Sequence, residues 1–320
     1  MKDFESLTPR GKVQRYRRVL IEKLGAYPLE IDSVSFVSDD SRPVFRIKSD
    51  QGIFAAKFHI PSEHDYVQLK GEMQFLKHIS EHSPLSIETP FANTEGEYIT
   101  KIESRWLPET AYFILISWVP GRQLRDLSPR SYRYLGTSVA ELHKASADFK
   151  PTPDFSILRN DRVFYWDEEV ILSRKDPNLL PPRRQELFRI GASISQHAID
   201  QAWNDCPPIV IHNDPHPCNL KIYHGKIYMY DFEDIAYGRP EQDLGTALYH
   251  VRFRDDFSVF YDSFRSGYEV IQPWPIASDQ QLDAFIMARI MMFANYIINY
   301  DINPAENLSE FQSNLEVLLN

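Results

Sequence analysis

The stretch that decides the fold is His212-Asn213-Asp214-Pro215-His216-Pro217-Cys218-Asn219, followed after a hairpin pattern by Asp231-Phe232-Glu233-Asp234. The apolar run in PPIVIHND predicts a short buried strand that enters a loop. The next run, LKIYHGKIYMYDF, predicts a hairpin that turns at His224-Gly225. The sequence therefore places a carboxylate and an amide on one loop, and the hairpin delivers a second carboxylate.

These side chains suit phosphoryl transfer, which needs a carboxylate to position and deprotonate the acceptor hydroxyl and oxygen ligands to hold magnesium against the nucleotide phosphates. We expect Asp214 to be the base and Asn219 to turn its amide oxygen onto the metal. Asp231 is expected to bridge the metal to the phosphates. His212 would brace the loop by hydrogen bonding, without a proton-transfer role. Each residue alone is common in ordinary loops, so the argument depends on the complete spacing.

That spacing, H-x-D-x-x-x-x-N with a later Asp231, resembles the catalytic and metal-binding loops of the protein-kinase-like fold. Without an arginine before Asp214 it is similar to the aminoglycoside phosphotransferase and choline kinase family, over about residues 33–300. The segment DFEDIAYGRPEQDL looks closest to the bacterial stress-response kinase and spectinomycin phosphotransferase branch. The resemblance implies an α+β, two-lobed fold: a small antiparallel sheet lobe with one αC-type helix (1–119) and a larger, mostly helical lobe (120–320). It also implies ATP and Mg²⁺ as cofactors.

The first third of the chain has the pattern of that smaller lobe. Thr8-Pro9 and Gly25 bracket a predicted helix. The runs SVSFVS, PVFRIKSD and GIFAAKFHI predict three antiparallel strands. Ser62, with Asp65 as its capping partner, is predicted to open a helix with an apolar stripe. Two more strand-like runs follow at about 98–102 and 112–119.

Lys57, Glu72, Ser117 and Val119 are candidates for nucleotide binding in this lobe. Lys57, in the third strand, resembles the kinase lysine that holds the α- and β-phosphates, and Glu72 on the following helix is its expected partner. The run Phe113 to Gly121 resembles the interlobe hinge, where the adenine edge would bond to backbone at Ser117 and Val119. A solvent-facing strand lysine and a plain buried strand remain the structural alternatives.

One feature departs from the kinase pattern. Where many kinases have a glycine-rich loop over the phosphates, this chain has Ser38-Asp39-Asp40-Ser41-Arg42-Pro43, in which no glycine lets backbone amides approach a phosphate closely. Contacts from Ser41 or Arg42 to the phosphates are the remaining expectation for this loop.

The second lobe has helical patterns from Ser128 onward, interrupted by an irregular, proline-rich stretch at 150–182. The resemblance implies that Asp243 caps and orders the catalytic loop, while His143 is expected only to pack. Glu233 and Asp234 either face a cationic acceptor, assist the metal or form a solvated acidic turn. Acceptor selectivity is expected from helices after residue 249, although packing alone explains each candidate: Tyr249, Arg252, Tyr261, Trp274, Arg289 and Tyr296.

Composition narrows the functional classes. The 35 basic and 45 acidic residues give a net charge of -10, which disfavours binding to nucleic acid or anionic lipid. We expect no secretory segment, no membrane span and a cytoplasmic location. The two cysteines, Cys206 and Cys218, have no metal-ligand spacing.

The segment 232–242 between Asp231 and Asp243 is too short to be the long activation segment with which eukaryotic protein kinases dock peptides. This favours a small-molecule hydroxyl acceptor such as an aminoglycoside or an amino alcohol. Two alternatives stay open: a bacterial serine/threonine protein kinase of the stress-response type, with a protein substrate, and a catalytically silent nucleotide-binding module.

Overall fold

The computed structural model describes residues 3–38, 42–60 and 66–320. The chain forms two compact units, each assembled from three segments. The first unit comprises Met1–Arg122, Lys150–Ser156 and Lys221–Glu233, and the second comprises Gln123–Phe149, Ile157–Leu220 and Asp234–Asn320. The chain first passes from one unit to the other after Arg122, close to the expected lobe boundary at 119/120. Two short segments from the expected second lobe belong to the first unit.

Helices and strands alternate irregularly, which confirms the predicted α+β class. The strands are β1 (Ile31–Ser38), β2 (Val44–Ser49), β3 (Gly52–His59), β4 (Ser86–Ile87), β5 (Pro90–Phe91), β6 (Ile99–Ile102), β7 (Ala111–Ser117), β8 (Arg122–Gln123), β9 (Leu158–Arg159), β10 (Ile209–Ile211), β11 (Leu220–Tyr223), β12 (Lys226–Met229) and β13 (Ala236–Gly238). The helices are α1 (Pro9–Leu24), α2 (Tyr66–His82), α3 (Pro129–Ala147), α4 (Pro182–Asp205), α5 (Pro240–Tyr249), α6 (Phe257–Tyr268), α7 (Asp279–Asn299) and α8 (Pro304–Leu318).

The first unit is built on an antiparallel sheet with the strand order β1-β2-β3-β7-β5, and β6 also pairs with β7. Lys57 lies opposite Val44 on β2 and Ile114 on β7, so it occupies a central strand. The helix α1 shares one core with this sheet, where the Tyr16 ring packs 5.0 Å from the Phe58 ring. Separately, β4 pairs in parallel with β12, which brings the end of the β11–β12 hairpin to the segment between β4 and β5.

The second unit is mainly helical, with α3 against α6 and α7 against α4, α5 and α8. The α3–α6 contact is close because glycines occupy it: a Cβ added at Gly136 would lie 2.1 Å from the Phe264 carbonyl oxygen. A small sheet of β10, β13 and β9 completes the unit. It supports the loop that follows Ile211.

Most of the predicted elements are confirmed. Thr8 caps α1 by accepting a hydrogen bond from the Gly11 amide, and Ser128 caps α3. The expected cap of α2 at Ser62 and Asp65 lies outside the described residues, but the predicted apolar stripe of that helix is buried. The short strands β4, β5, β8, β9 and β13 were not predicted, since two or three residues are too few to show an alternating pattern.

The expectation that no segment is apolar enough for a membrane span is wrong for α7. This helix has the length and composition of a span, yet 72% of the qualifying window is buried inside the protein. Such burial is typical of a core helix.

Candidate functional site

Asp243 orders the loop after β10 by accepting hydrogen bonds from its backbone. One oxygen of its fully buried carboxylate accepts the His212 backbone N–H at 3.0 Å, and the other accepts that of Asn213 at 2.7 Å. The His143 ring lies against the first oxygen at 2.9 Å, and its other nitrogen is 3.0 Å from the Tyr268 hydroxyl. Asp243 therefore has the loop-ordering role that the resemblance implied, and His143 belongs to its support.

Asn213 fixes the turn that presents the next residue. Its φ of 70° lies in the left-handed region, which asparagine tolerates better than most residues. Its side-chain amide donates to the Tyr165 hydroxyl at 2.8 Å and to the Asp234 carbonyl at 3.0 Å, and it accepts from Asn160 at 2.9 Å. With all three contacts satisfied, the loop backbone is held rigidly next to Asp214.

Asp214 has a partly exposed carboxylate, with 22% of its side chain accessible. One oxygen contacts the Arg289 guanidinium, and the other lies 3.2 Å from His216 Nε2. Burial works against the charged form, but the hydrogen bond from His216 and the charge of Arg289 outweigh it and hold the pKa of Asp214 well below its usual range. Asp214 is thus an oriented carboxylate at neutral pH that still reaches the surface of the unit.

Asn219 lies beside this carboxylate at the end of a 3₁₀ turn, Pro217–Asn219. The turn is capped by His216, whose Nδ1 accepts the Cys218 backbone N–H at 3.2 Å. The Asn219 amide nitrogen donates to the Asp214 carbonyl oxygen at 3.0 Å. Because its nitrogen makes this contact, the amide oxygen points to the other side, where it is suited to bind a cation.

In the first unit, Lys57 is held by two carboxylates. Its Nζ lies 3.3 Å from Glu88 Oε2 and 3.7 Å from Asp231 Oδ1. Glu88 also accepts the backbone N–H of Asp231 at 3.0 Å, which fixes that residue at its left-handed φ of 71°. Burial lowers the pKa of Lys57, but the neighbouring carboxylates, Glu88 foremost, outweigh it and raise the pKa above its usual value. The structure brings Lys57 and Asp231 together, as predicted.

The expected Lys57–Glu72 ion pair does not form; Glu88 takes that place. Glu72 points into the unit with 2% of its surface exposed, and its Oε1 has no hydrogen-bond partner among the described residues. Burial raises the pKa of Glu72 to about 7, although the charge of Lys57 opposes the rise. The helical period correctly put Glu72 on the buried face of α2, but the partner of the lysine comes from the segment between β4 and β5.

Arg42 is turned inward. Its guanidinium contacts the His59 ring at 2.9 Å and forms an ion pair with Glu233, and the side chain is buried. It therefore holds the start of β2 in place instead of extending from the loop toward phosphates, and Glu233 is occupied by this pair. Ser41, the other predicted phosphate contact of this loop, lies outside the described residues.

At the predicted hinge, several backbone groups are already used within the first unit. The Ser117 N–H donates to the Thr89 carbonyl at 2.8 Å, and the Trp118 N–H donates to the Ile53 carbonyl at 2.9 Å. The Val119 carbonyl accepts from Lys221 Nζ at 3.4 Å. An adenine at this position would therefore use the Ser117 carbonyl and the Val119 N–H.

Most of the predicted acceptor-binding candidates are packing residues. Arg252 forms a two-point ion pair with Asp283, at 2.6 and 2.9 Å. Tyr261 packs against Trp274 with their rings 5.7 Å apart. Tyr249 packs against the Phe293 ring, and Tyr296 packs against the Tyr300 ring. Arg289 is the exception, because it contacts Asp214.

Each unit offers an oxygen donor that suits a hard cation, namely Asp231 in the first unit and Asn219 in the second. Among the described residues no group of three or more His, Cys, Asp or Glu side chains forms a complete metal site. Carboxylate and amide oxygens such as those of Asp231 and Asn219 are the ligands that Mg²⁺ takes when substrate phosphates and water complete its shell. The side chain of Asp231 is 41% exposed, which leaves it accessible to such a cation.

Glu88 and His216 were not predicted as site residues, and Arg289 was a candidate only for acceptor selectivity. Glu88 gave no periodic signal, because it stands between two-residue strands. His216 lies inside the quoted loop and was open to inspection. Arg289 stands alone as a cation in the apolar run of α7, and a buried charge of that kind requires a partner.

Comparisons with known proteins agree with this geometry. The profile described as the phosphotransferase enzyme family matches residues 33–278. Amicoumacin kinase of Bacillus subtilis (strain 168) is 23% identical over 267 residues, covering 80% of this chain and 76% of that protein.

Solved structures share the fold at low identity. The amicoumacin kinase hAmiN, in complex with AMP-PNP, Ca²⁺ and Ami, superposes with a TM-score of 0.71 at 18% identity, covering 97% of this chain and 96% of that one. A microcompartment-associated aminopropanol kinase gives 0.74 at 16% identity, covering 93% and 95%. A spectinomycin phosphotransferase in complex with ADP and spectinomycin gives 0.58 at 15% identity, covering 94% and 97%. These likenesses confirm the predicted kinase-like fold.

Proposed function

Because the chain belongs to the phosphotransferase enzyme family, we propose that it transfers the γ-phosphate of ATP, bound with Mg²⁺, to a hydroxyl group of a small-molecule acceptor. The observation that carries this proposal is the orientation and exposure of the Asp214 carboxylate. It is an oriented, partly exposed carboxylate whose neighbour Asn219 offers an amide oxygen on the same loop.

The nucleotide side of the reaction falls to the first unit. Lys57, held by Glu88, would bind the α- and β-phosphates, and Asp231 would be a ligand of Mg²⁺, as would Asn219 of the second unit. The cation would neutralise charge on the phosphates during transfer. The Ser117 carbonyl and the Val119 N–H would bind the adenine edge, since nearby backbone groups are already committed.

Asp214 would act on the acceptor. A carboxylate with a low pKa is a weak base, so its main contribution is to accept a hydrogen bond from the acceptor hydroxyl and aim the oxygen at the γ-phosphorus. It takes the proton as the new P–O bond forms and the bond to the β-phosphate oxygen breaks. His212 has no part in this proton transfer, because it is fully buried and its backbone serves the loop.

The names of the similar proteins favour a small-molecule acceptor, and one of them names an acceptor that carries both a hydroxyl and an amine. Aminopropanol is an amino alcohol by name, and spectinomycin and amicoumacin are the named substrates of the other relatives. We propose an acceptor of this broad class for the present chain. The alternatives of a protein kinase and a silent module are less favoured, because the set Lys57, Asp214, Asn219 and Asp231 is intact and the segment 232–242 is short.

The test is a measurement of ADP formation with ATP and Mg²⁺ across a panel of acceptors. The panel holds amicoumacin, spectinomycin, aminoglycosides, aminopropanol and other amino alcohols, sugars without an amine, and model proteins. We expect ADP formation to rise severalfold or more over the rate without acceptor for one amine-bearing class. Transfer of labelled phosphate to the model proteins alone would support the protein-kinase alternative. Nucleotide binding without any turnover would support the silent module.

A further inference from the structure

The carboxylate of Asp214 is held by a residue from outside the loop motif. Arg289 lies on α7, 75 positions along the chain from Asp214. Its Nη2 contacts Asp214 Oδ1, and its Nη1 lies 3.4 Å from the carbonyl oxygen of Asn213. The guanidinium therefore contacts both the base and the backbone that presents it.

Arg289 is itself firmly placed. Only 9% of its surface is exposed, and its guanidinium carbon lies 4.2 Å from the centre of the Phe293 ring, one helical turn further along α7. A buried guanidinium is stable only when it is paired, and the groups it contacts are those of the catalytic loop. The residue has no comparable packing role that would explain a cation at this position of an apolar helix.

The loop itself lacks a cation for this task. The residue before Asp214 is Asn213, and its amide is occupied by Tyr165, Asp234 and Asn160. His216 contacts the opposite carboxylate oxygen, Oδ2, at 3.2 Å. Without Arg289 the carboxylate would be held only through Oδ2, by His216 and by Asn219 Nδ2 at 3.4 Å.

We propose that Arg289 is a positioning residue that fixes the carboxylate of Asp214 in the orientation needed to accept the acceptor hydroxyl. The inference rests on the proposed function of Asp214. The guanidinium contacts the carboxylate through Nη2 and the Asn213 carbonyl through Nη1, so it fixes Oδ1 relative to the loop backbone, which a single ammonium contact does not do. A carboxylate has lone pairs enough to accept Arg289 and a hydroxyl on the same oxygen.

The test compares Arg289→Gln and Arg289→Lys with Arg184→Gln. Arg184 is an equally buried arginine of the same unit, also 9% exposed, and it joins α4 to α8 through Gln312 and Ser309. The reaction followed is ATP hydrolysis with water as the acceptor, so that no organic acceptor has to be known.

We expect Arg289→Gln to lower kcat roughly 10- to 100-fold with the KM for ATP unchanged, because a base displaced by about 1 Å loses rate of that order. Arg289→Lys should recover part of the loss, and Arg184→Gln should keep the kcat of the unmodified protein. An unchanged kcat in Arg289→Gln, or an equal fall in Arg184→Gln, overturns the inference.

A second measurement separates this inference from the proposed function. The midpoints of urea unfolding are compared for Arg289→Gln, Asp214→Asn and the double variant. If the two side chains interact, the effect of Arg289→Gln is smaller in the Asp214→Asn background. Independent, additive effects would contradict the inference. A chain that shows this coupling but no ATP turnover would count against the proposed function alone.

Discussion

Glu72 provides the sharpest test of the interior of the first unit. Its carboxyl group is buried, and its pKa of about 7 compares with an ordinary value of 4.5. The folded state therefore holds a proton that the unfolded state has lost between those pH values. Stability falls as the pH rises from about 4.5 to about 7, and the cost is fully present above pH 7.

The size of this cost follows from the two pKa values. At roughly 1.4 kcal/mol per pKa unit the difference corresponds to about 3 kcal/mol. Glu72→Gln removes the ionisable group and keeps the shape. We expect the variant to be more stable than the unmodified protein by about 1–3 kcal/mol at pH 8, and nearly as stable as it at pH 4.5. The lower figure allows for the free-energy cost of burying the new amide group.

The assay is urea unfolding of both proteins at intervals from pH 4.5 to 8. Glu81→Gln is the matched control, since Glu81 is an exposed glutamate on the same helix, α2, and this change should leave the pH dependence as it was. If Glu72→Gln shows the same pH dependence as the unmodified protein, or loses stability at pH 8, then the Glu72 carboxylate has a charged partner. Our conclusion that Lys57 pairs with Glu88 and not with Glu72 would then be wrong.

Two further predictions concern single contacts. Glu88→Gln should weaken ATP binding about tenfold or more, measured by calorimetry, because Lys57 loses a charged hydrogen-bond partner. Glu72→Gln should leave the ATP affinity nearly unchanged. The reverse pattern would identify Glu72 as the partner of Lys57. Gly136→Ala should destabilise the protein by about 1–3 kcal/mol in urea unfolding, since the new Cβ would meet the Phe264 carbonyl at the α3–α6 contact. Gly25→Ala, at an open helix end with a φ of -63°, is its control and should stay within about 0.5 kcal/mol; equal stability of the two variants would argue against close packing of α3 on α6.

The sequence was sufficient for the features that depend on local spacing. The loop from His212 to Asn219 has its turn, its strand and its side-chain order encoded in adjacent residues, so their arrangement within the second unit could be predicted. The same holds for Lys57 in β3 and for the buried face of α2, because both depend on periods of two or about 3.6 residues.

The partners of these residues could not be predicted in the same way. Glu88 meets Lys57 because the two-residue strand β5 pairs with β7, the neighbour of β3, and Asp231 joins them because β4 lies beside β12. These contacts join short strands from distant parts of the chain. Arg289 and Asp214 likewise meet through the packing of α7. Periodicity shows which face of an element is buried, but it does not show which buried charge will face which other charge.

The most direct test of the central claim is the effect of Asp214→Asn on ATP turnover and on nucleotide binding in the same preparation. The amide keeps an oxygen for Arg289 and loses the ability to accept the proton of the hydroxyl. We predict a fall in kcat of at least about 100-fold, with the affinity for ATP and Mg²⁺ measured by calorimetry unchanged within about twofold. Turnover near that of the unmodified protein, in a variant that still binds ATP, would contradict the assignment of Asp214 as the base.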